Sequence, residues 1–581
     1  MTRSEVSPTG YLKTMNRLHA RLSTLARPAT GFVSQPEPRS IGSHAKGRQL
    51  CAGNFLFAGY LIETPGKGIW DIAVPDQRFE DALHGFAWLD DLAAVDDLPA
   101  RTRAQDWTFD WIDRFGRGGG PGWTPDLTGR RLIRWINHAI LLLNGREKRQ
   151  ARGYFRSLGQ QTIFLARRWK TASPGQPRFE ALTGLIYAGL ALTGMERHVA
   201  TASTALAREC AREIDAEGGI PTRSPEELLQ VFTLLTWASH ALEAAGRRAL
   251  PDHLAAIERI APTLRALRHA DGGLARFHGG GRGAAGVLDQ ALAHAGGKAL
   301  TAHGLSMGFV RMAAGRTTVI VDGAAPPSGK SSVNAHASTL AMELTSGRRP
   351  LIVNCGSGAG FGAEWRRAGR ATPSHSTLGV KGFSSSRLGT ETGGPGARAE
   401  LDEVPDQVWV QQDSGIDGIR TLAGHNGYAP THGVTHIRQL ILSVDGRTLT
   451  GEDTLGAMTG VDRRRYDKVM QRLKMQGIDF DIRFHLHPDV DAALDMGGSA
   501  VSMALKSGEI WVFRHDGIAG LQLEPSVYLE SGRLKPRATK QIVLSATVFD
   551  YACQISWTLA KAQDTPSAIR DTEPDDPTSL S

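Results

Sequence analysis

The chain has 581 residues, 41% hydrophobic and 22% charged, the balance of a globular protein with an ordinary core, and its length exceeds what one core organises, so two large domains are expected. Its net charge of +8, carried more by arginine than lysine, fits a polyanionic partner because guanidinium forks grip carboxylates, sulfates and phosphates, although GC-rich coding also raises arginine. No dense basic run with interleaved aromatics points to nucleic acid, four cysteines without a CxxC pair exclude a disulfide framework and a zinc ribbon, and no apolar run is long enough for a transmembrane segment.

Residues 1–46 are rich in Ser, Pro, Gly and Arg and are expected to form a basic disordered arm, with one short amphipathic piece at Met15–Leu25. No apolar segment of signal-peptide type opens the sequence, which makes cytoplasmic residence the default expectation. From Phe86 to Ala270 helical spacing recurs, as at Leu132, Ile133, Ile136 and Ile140, then Leu182, Leu185, Ile186 and Leu190, then Leu228, Val231, Leu235 and Leu242. Tryptophans are spread through this half, from Trp88 to Trp237. They suit a packed core, and exposed indoles would also suit a sugar-binding cleft.

After Ala285 the pattern changes to short apolar runs of strand length, including Thr317–Val321, Leu340–Leu344, Ile437–Val444, Ile478–Leu486 and Gln541–Val548. Regular short strands with turn signals predict a large antiparallel β-sandwich. Within it, the stretch Asn334–Leu378 sets two histidines, His336 and His375, around a strand pair predicted at Leu340–Leu344 and Pro350–Asn354, reversed at Ser346-Gly347. Residues distant in sequence could meet there at one sheet end. Residues 562–581 are polar and acidic, and a disordered acidic tail is expected.

A helical half followed by an all-β half carrying HASTLAMELTSGRRPLIVNCG, SHSTL, HNGY, HIRQLILS, GEDTL, RFHLHP and SVYLE resembles the heparinase II/III family of polysaccharide lyases. The resemblance covers about residues 50–560. It implies an α+β multidomain protein, with an (α/α) toroid over 47–284 joined to an antiparallel β-sandwich over 285–561 and an acidic polysaccharide as partner. It also implies the cell envelope or periplasm, against the cytoplasmic default. The implied reaction is β-elimination at a uronic acid, in which the site neutralises the carboxylate, removes the C5 proton and protonates the leaving oxygen.

Carried over by motif, the structural zinc of that family would fall to His336, Asn354 and His375, with Asn354 standing where an aspartate is usual. Asn334 occupies the position of a catalytic histidine and has no titrating group near neutral pH. Gln176 and Pro177 stand where an Asn-His pair is expected, and Glu227 where a tyrosine is expected. A carboxylate there would repel a uronate unless a cation offsets it, and Arg223 is the candidate. Arg134 and His138, four apart on one helix face beside Asn137, could neutralise a carboxylate and shuttle a proton, or could simply bridge helices. Two functions follow: a polysaccharide lyase, or a noncatalytic acidic-glycan-binding or envelope-biogenesis protein that has lost the lyase residues.

Overall fold

A computed structural model describes residues 8–34, 37–295, 304–390, 399–563 and 571. The chain divides into two compact units. A helical one comprises Met1–Ala216, Leu229–Ala261 and Gly286–Gly297, and a β-rich one comprises Glu217–Leu228, Pro262–Ala285 and Lys298–Ser581. The segment Pro262–Ala285 was expected in the toroid but groups with the β-rich unit. Within that unit His269 contacts Glu343 at 3.1 Å and the Arg276 backbone N–H donates to the same carboxylate at 3.0 Å.

In the helical unit, Pro125–Asn137 starts with proline in its first turn, where no N–H is needed, and Asp126 lies at the positive end of the helix dipole. Its apolar face buries Leu132, Ile133 and Ile136. It crosses Gln176–Ala191 at glycines: a Cβ on Gly184 would lie 2.4 Å from the Gly129 Cα, so only glycine permits this approach. From Phe179 to Ala191 every residue is buried, which explains why this helix is apolar all round rather than striped.

Tryptophans fill the adjoining core. Trp88, Trp111, Trp123 and Trp135 are buried, Trp111 and Trp135 meet edge-to-face at 5.5 Å, and the Arg131 guanidinium lies 4.0 Å from the Trp111 ring centre. The stretch expected to be a mobile basic arm instead holds a helix, Pro8–Ser23. Ala20 is buried, and Arg168 donates to Asn16 at 2.9 Å. The amphipathic piece around Met15–Leu25 thus has a protein surface to cover.

The β-rich unit contains two antiparallel eight-stranded sheets among the described residues. One runs in the order Val408–Gly415, Gly418–His425, Thr435–Leu442, Thr448–Gly456, Ala552–Lys561, Ile510–His515, Ala500–Ala504 and Asp491–Asp495. The other runs Gly520–Tyr528, Arg537–Val548, Ile478–Leu486, Arg349–Val353, Met342–Ser346, Thr317–Asp322 and Phe309–Ala314, with Leu378–Val380 paired to Ile478–Leu486. Alternation is clean where one face is covered: Thr435–Leu442 buries every second residue.

The sheets pack through aromatics, with Phe484 of one lying 4.7 Å from Trp557 and 5.0 Å from Phe513 of the other. Gly451, directly opposite Trp557, leaves room for that ring. The strand pair expected at Leu340–Leu344 and Pro350–Asn354 occurs at Met342–Ser346 and Arg349–Val353. The shift has a local cause: Leu340 sits at φ +60°, outside strand geometry, and its N–H donates to Asp322.

A buried histidine cluster as the candidate functional site

The strand Thr317–Asp322 carries its aspartate into a wholly buried position. An ionised carboxylate there requires cations and donors. Arg223 Nη2 donates to Asp322 Oδ1 at 2.6 Å, Ser338 Oγ donates to Oδ2 at 2.7 Å, and His278 Nε2 lies 3.4 Å from Oδ2. Burial would raise the Asp322 pKa, but Arg223 and His278 override it and hold the carboxyl well below the usual range. Arg223 and His278 both sit at positive φ, +51° and +46°, so the surrounding structure holds two non-glycine residues in a costly conformation to complete this contact.

From His278 the cluster continues to the expected pair. The His336 backbone N–H donates to His278 Nδ1 at 3.3 Å, and His336 Nδ1 faces His375 Nε2 at 3.0 Å. His375 Nδ1 lies 2.9 Å from the Ala371 carbonyl, which makes Nδ1 the protonated nitrogen and leaves Nε2 to accept from His336. Burial lowers both pKa values, that of His375 to about 4, with the His375 ring adding to the effect on His336 and His278 to that on both, so the pair is neutral at pH 7.

The zinc expectation rests on this pair and Asn354. The two ring nitrogens converge as two ligands would, but Asn354 Oδ1 accepts from the Ser376 N–H at 3.0 Å, and its Nδ2 is buried without a hydrogen-bond partner. Among the described residues no group of three His, Cys, Asp or Glu side chains is placed to hold one ion. The donor set is therefore two neutral nitrogens and a neutral amide, without the anionic ligand of a structural zinc site of this kind, and does not fit it.

Other expected residues do not join a catalytic constellation. Asn334 is exposed on a turn and accepts from Arg366 at 3.2 Å. Arg223 is held by other groups: besides Asp322, its guanidinium donates to the carbonyls of Met307, Gly308, Ala324 and Ala325. Glu227 is half-buried in the first turn of Pro225–Ala244, its N–H directed at Ser224 Oγ at 3.5 Å. In the helical unit Gln176 donates to Glu180 at 3.1 Å. Arg134 and His138 do meet a carboxylate, but it is the buried Asp90 of the same unit, at 3.1 and 2.8 Å. Burial would raise the Asp90 pKa, and these two partners hold it down. Asn137 beside them is buried, with neither side-chain polar atom hydrogen-bonded.

Two further buried networks accompany the cluster. His436 bridges His425 at 3.3 Å and Asp453 at 2.7 Å, and Arg438 and the Trp557 indole N–H also donate to Asp453. His485 lies 2.8 Å from Ser526 Oγ and 3.5 Å from Cys355 Sγ, and burial pushes that thiol up to about 11, so it is no thiolate at neutral pH. Sequence reasoning missed Asp322 and His278. The signal for Asp322 was available: an acid closing the apolar run TTVIVD must be paired if that run is buried.

A helical unit and a two-sheet sandwich bearing this histidine-rich cluster define a protein of polysaccharide-lyase fold. Residues 297–558 match the model of the heparinase II/III-like C-terminal domain. The chain is 31% identical over 563 residues to FtsZ-localized protein C of Caulobacter vibrioides (strain NA1000 / CB15N), covering 94% of this chain and 92% of that one. Among solved structures, heparinase III superposes with a TM-score of 0.66 at 12% identity, over 95% of this chain and 90% of that one. A mutant of the heparan sulfate lyase HepC from Pedobacter heparinus superposes with a TM-score of 0.56 at 14% identity, over 96% and 88%. The chain belongs to the heparinase II/III family, with an (α/α) toroid followed by an antiparallel β-sandwich.

Proposed function

We propose that this protein is a noncatalytic member of the heparinase II/III family that acts as a binding component at the bacterial division site. The observation carrying this reading is how the residues expected to serve catalysis and metal binding are used. Asn334 has no titrating group, Arg223 is enclosed by backbone carbonyls and Asp322, and His336 and His375 are neutral, buried and turned toward each other. β-Elimination needs a base and an acid that reach the substrate, and these side chains serve packing instead. The relative named for its FtsZ localisation supplies the division-site part of the reading; no described helix is long and apolar enough to cross a membrane.

Two measurements test it. Purified protein incubated with a panel of uronic-acid polysaccharides is expected to generate no unsaturated-uronate absorbance, and steady product formation from any of them would end the noncatalytic reading. A fluorescent fusion is expected to coincide with the FtsZ ring in a bacterial cell, and uniform distribution would remove the division-site assignment. The same reading has the His336–His375 pair working as a metal-free hydrogen bond. Zinc in the purified native chain is then well below one per molecule, and Asn354→Asp, which restores an anionic donor beside the pair, raises it; stoichiometric zinc in the native chain would overturn this part.

A further inference from the structure

The β-rich unit also carries a pocket lined by seven Arg and Lys side chains against three acids, Asp271, Asp489 and Glu530. The acids are engaged locally: Arg537 meets Asp489 at 2.7 Å, Arg533 meets Glu530 at 3.2 Å, and Arg276 meets Asp271 at 3.5 Å. Cationic charge remains in excess on the wall formed by Arg348 and Arg349, the first residues after the Ser346-Gly347 turn.

That wall holds a carboxylate from far away in the chain. Arg349 donates from Nε to Asp571 Oδ2 at 2.7 Å and from Nη2 to Oδ1 at 2.6 Å, a two-point fork, and Arg348 Nε adds a contact at 3.2 Å. The Arg349 and Asp571 side chains are each only 5% exposed, and 222 residues separate them. A fork of this kind, shielded from water, is the strong form of a carboxylate contact. Asp571 opens an acidic stretch, with Glu573, Asp575 and Asp576 following. Arg348 also lines an adjoining hollow with Arg311 and Arg316, so basic surface continues past the fork.

We propose that this pocket is a docking site for acidic peptide segments, whose leading carboxylate enters the Arg349 fork, and that Asp571 is its resident carboxylate. The carboxylate in the fork is that of a peptide aspartate with further acids after it in sequence, and this favours a peptide over a glycan. A tethered occupant competes at an effective concentration on the order of 1 mM. An acidic segment of a partner protein therefore gains access when it binds more tightly than Asp571 or when Asp571 is released.

The test uses the full chain and a fluorescein-labelled peptide of residues 566–577. Asp571→Asn in the full chain weakens the resident occupant without touching the pocket, and is expected to bind the peptide at least about tenfold tighter than the native chain by fluorescence anisotropy. Adding Arg348→Ala, whose side chain is 38% exposed, is expected to reverse that gain while leaving the melting temperature close to that of Asp571→Asn alone. An unlabelled peptide carrying the Asp571→Asn change should compete poorly. Equal affinity of the native and Asp571→Asn chains, or no binding by either, would overturn the proposal. So would displacement of the probe by a sulfated oligosaccharide but not by unlabelled acidic peptide.

Discussion

The two units solve the problem of a large interior with different residues. The toroid fills its core with tryptophans and tyrosine, and polar tips there find partners, as Tyr154 does at the Trp135 carbonyl and Trp88 at the Leu83 carbonyl, although the Trp135 indole N–H does not. The sandwich places histidines in its interior, among them His278, His336, His375, His425, His436 and His485, whereas the toroid buries His84 and His253. A buried indole is indifferent to pH across the physiological range; a buried neutral imidazole is stable only while it stays neutral. The toroid thus carries fewer acid-sensitive groups than the sandwich, His84 and His253 against at least six.

Acid should separate the units most strongly. Burial lowers the pKa of His375 to about 4 and of His485 to about 3, and lowers His278, His336, His425 and His436 as well. The unfolded chain binds protons at these residues below pH about 6.5 while the native one does not, so stability is complete above that value and falls as pH drops toward 4. Asp322 and Asp453 are held below the carboxylate range by Arg223 and Arg438 against the opposing effect of burial, and their contribution is lost at still lower pH. His375 and His485 each contribute on the order of 1–3 kcal/mol across this window. Hydrogen exchange followed by mass spectrometry is expected to show sandwich peptides losing protection between pH 6.5 and 4.5 well before toroid peptides. Equal loss in both units would break the contrast.

A single substitution can reproduce part of that effect at neutral pH. Arg223→Ala leaves Asp322 buried with its principal cation removed and strands several carbonyls, which should cost about 3–5 kcal/mol in urea unfolding. Arg223→Lys cannot supply the same fork and is expected to recover only part of it. If Arg223 instead faced a substrate, either change would leave stability nearly untouched.

Much of this architecture is legible in the sequence, and the reasons are physical. The change from 3.6-residue to two-residue periodicity after Ala285 is forced by helices and strands presenting one face to a core, so the fold class follows from pattern. Fully buried elements such as Phe179–Ala191 show as unbroken apolar runs. The site is less legible. His336 and His375 do meet, but nothing local to RLIRWINHAILLL reveals that Arg134 and His138 would be used by Asp90, forty-four residues before Arg134, nor does Arg223 beside Glu227 reveal five acceptors elsewhere. Motif position predicts which residue stands at a place; partners distant in sequence decide what it does there.

A packing defect in the toroid sharpens the comparison from the other side. Gly184→Ala would place a methyl group 2.4 Å from the Gly129 Cα, where backbone and not a flexible side chain must yield, and should cost about 1–3 kcal/mol. The loss should be nearly independent of pH between 7 and 5, because no titrating group takes part. Thermal melting at the two pH values measures this directly, and a pH-dependent loss would mean that the toroid and sandwich do not respond separately.

Asn334 gives the smallest expected effect and a clean reading of the motif position. It is exposed, and its side-chain oxygen accepts from Arg366, whose guanidinium also donates to the Val333 carbonyl at 2.6 Å. Removing the amide therefore leaves the arginine a nearby acceptor, and Asn334→Ala should change stability by no more than about 0.5 kcal/mol. Asn334→His restores the residue type that the family resemblance implies at this place. If the surrounding groups were still arranged for proton transfer, this one change would generate unsaturated uronate from an acidic polysaccharide. The expected outcome is none, because Arg223, His336 and His375 remain committed to Asp322 and to one another, so the second proton-transfer group that elimination needs is still missing.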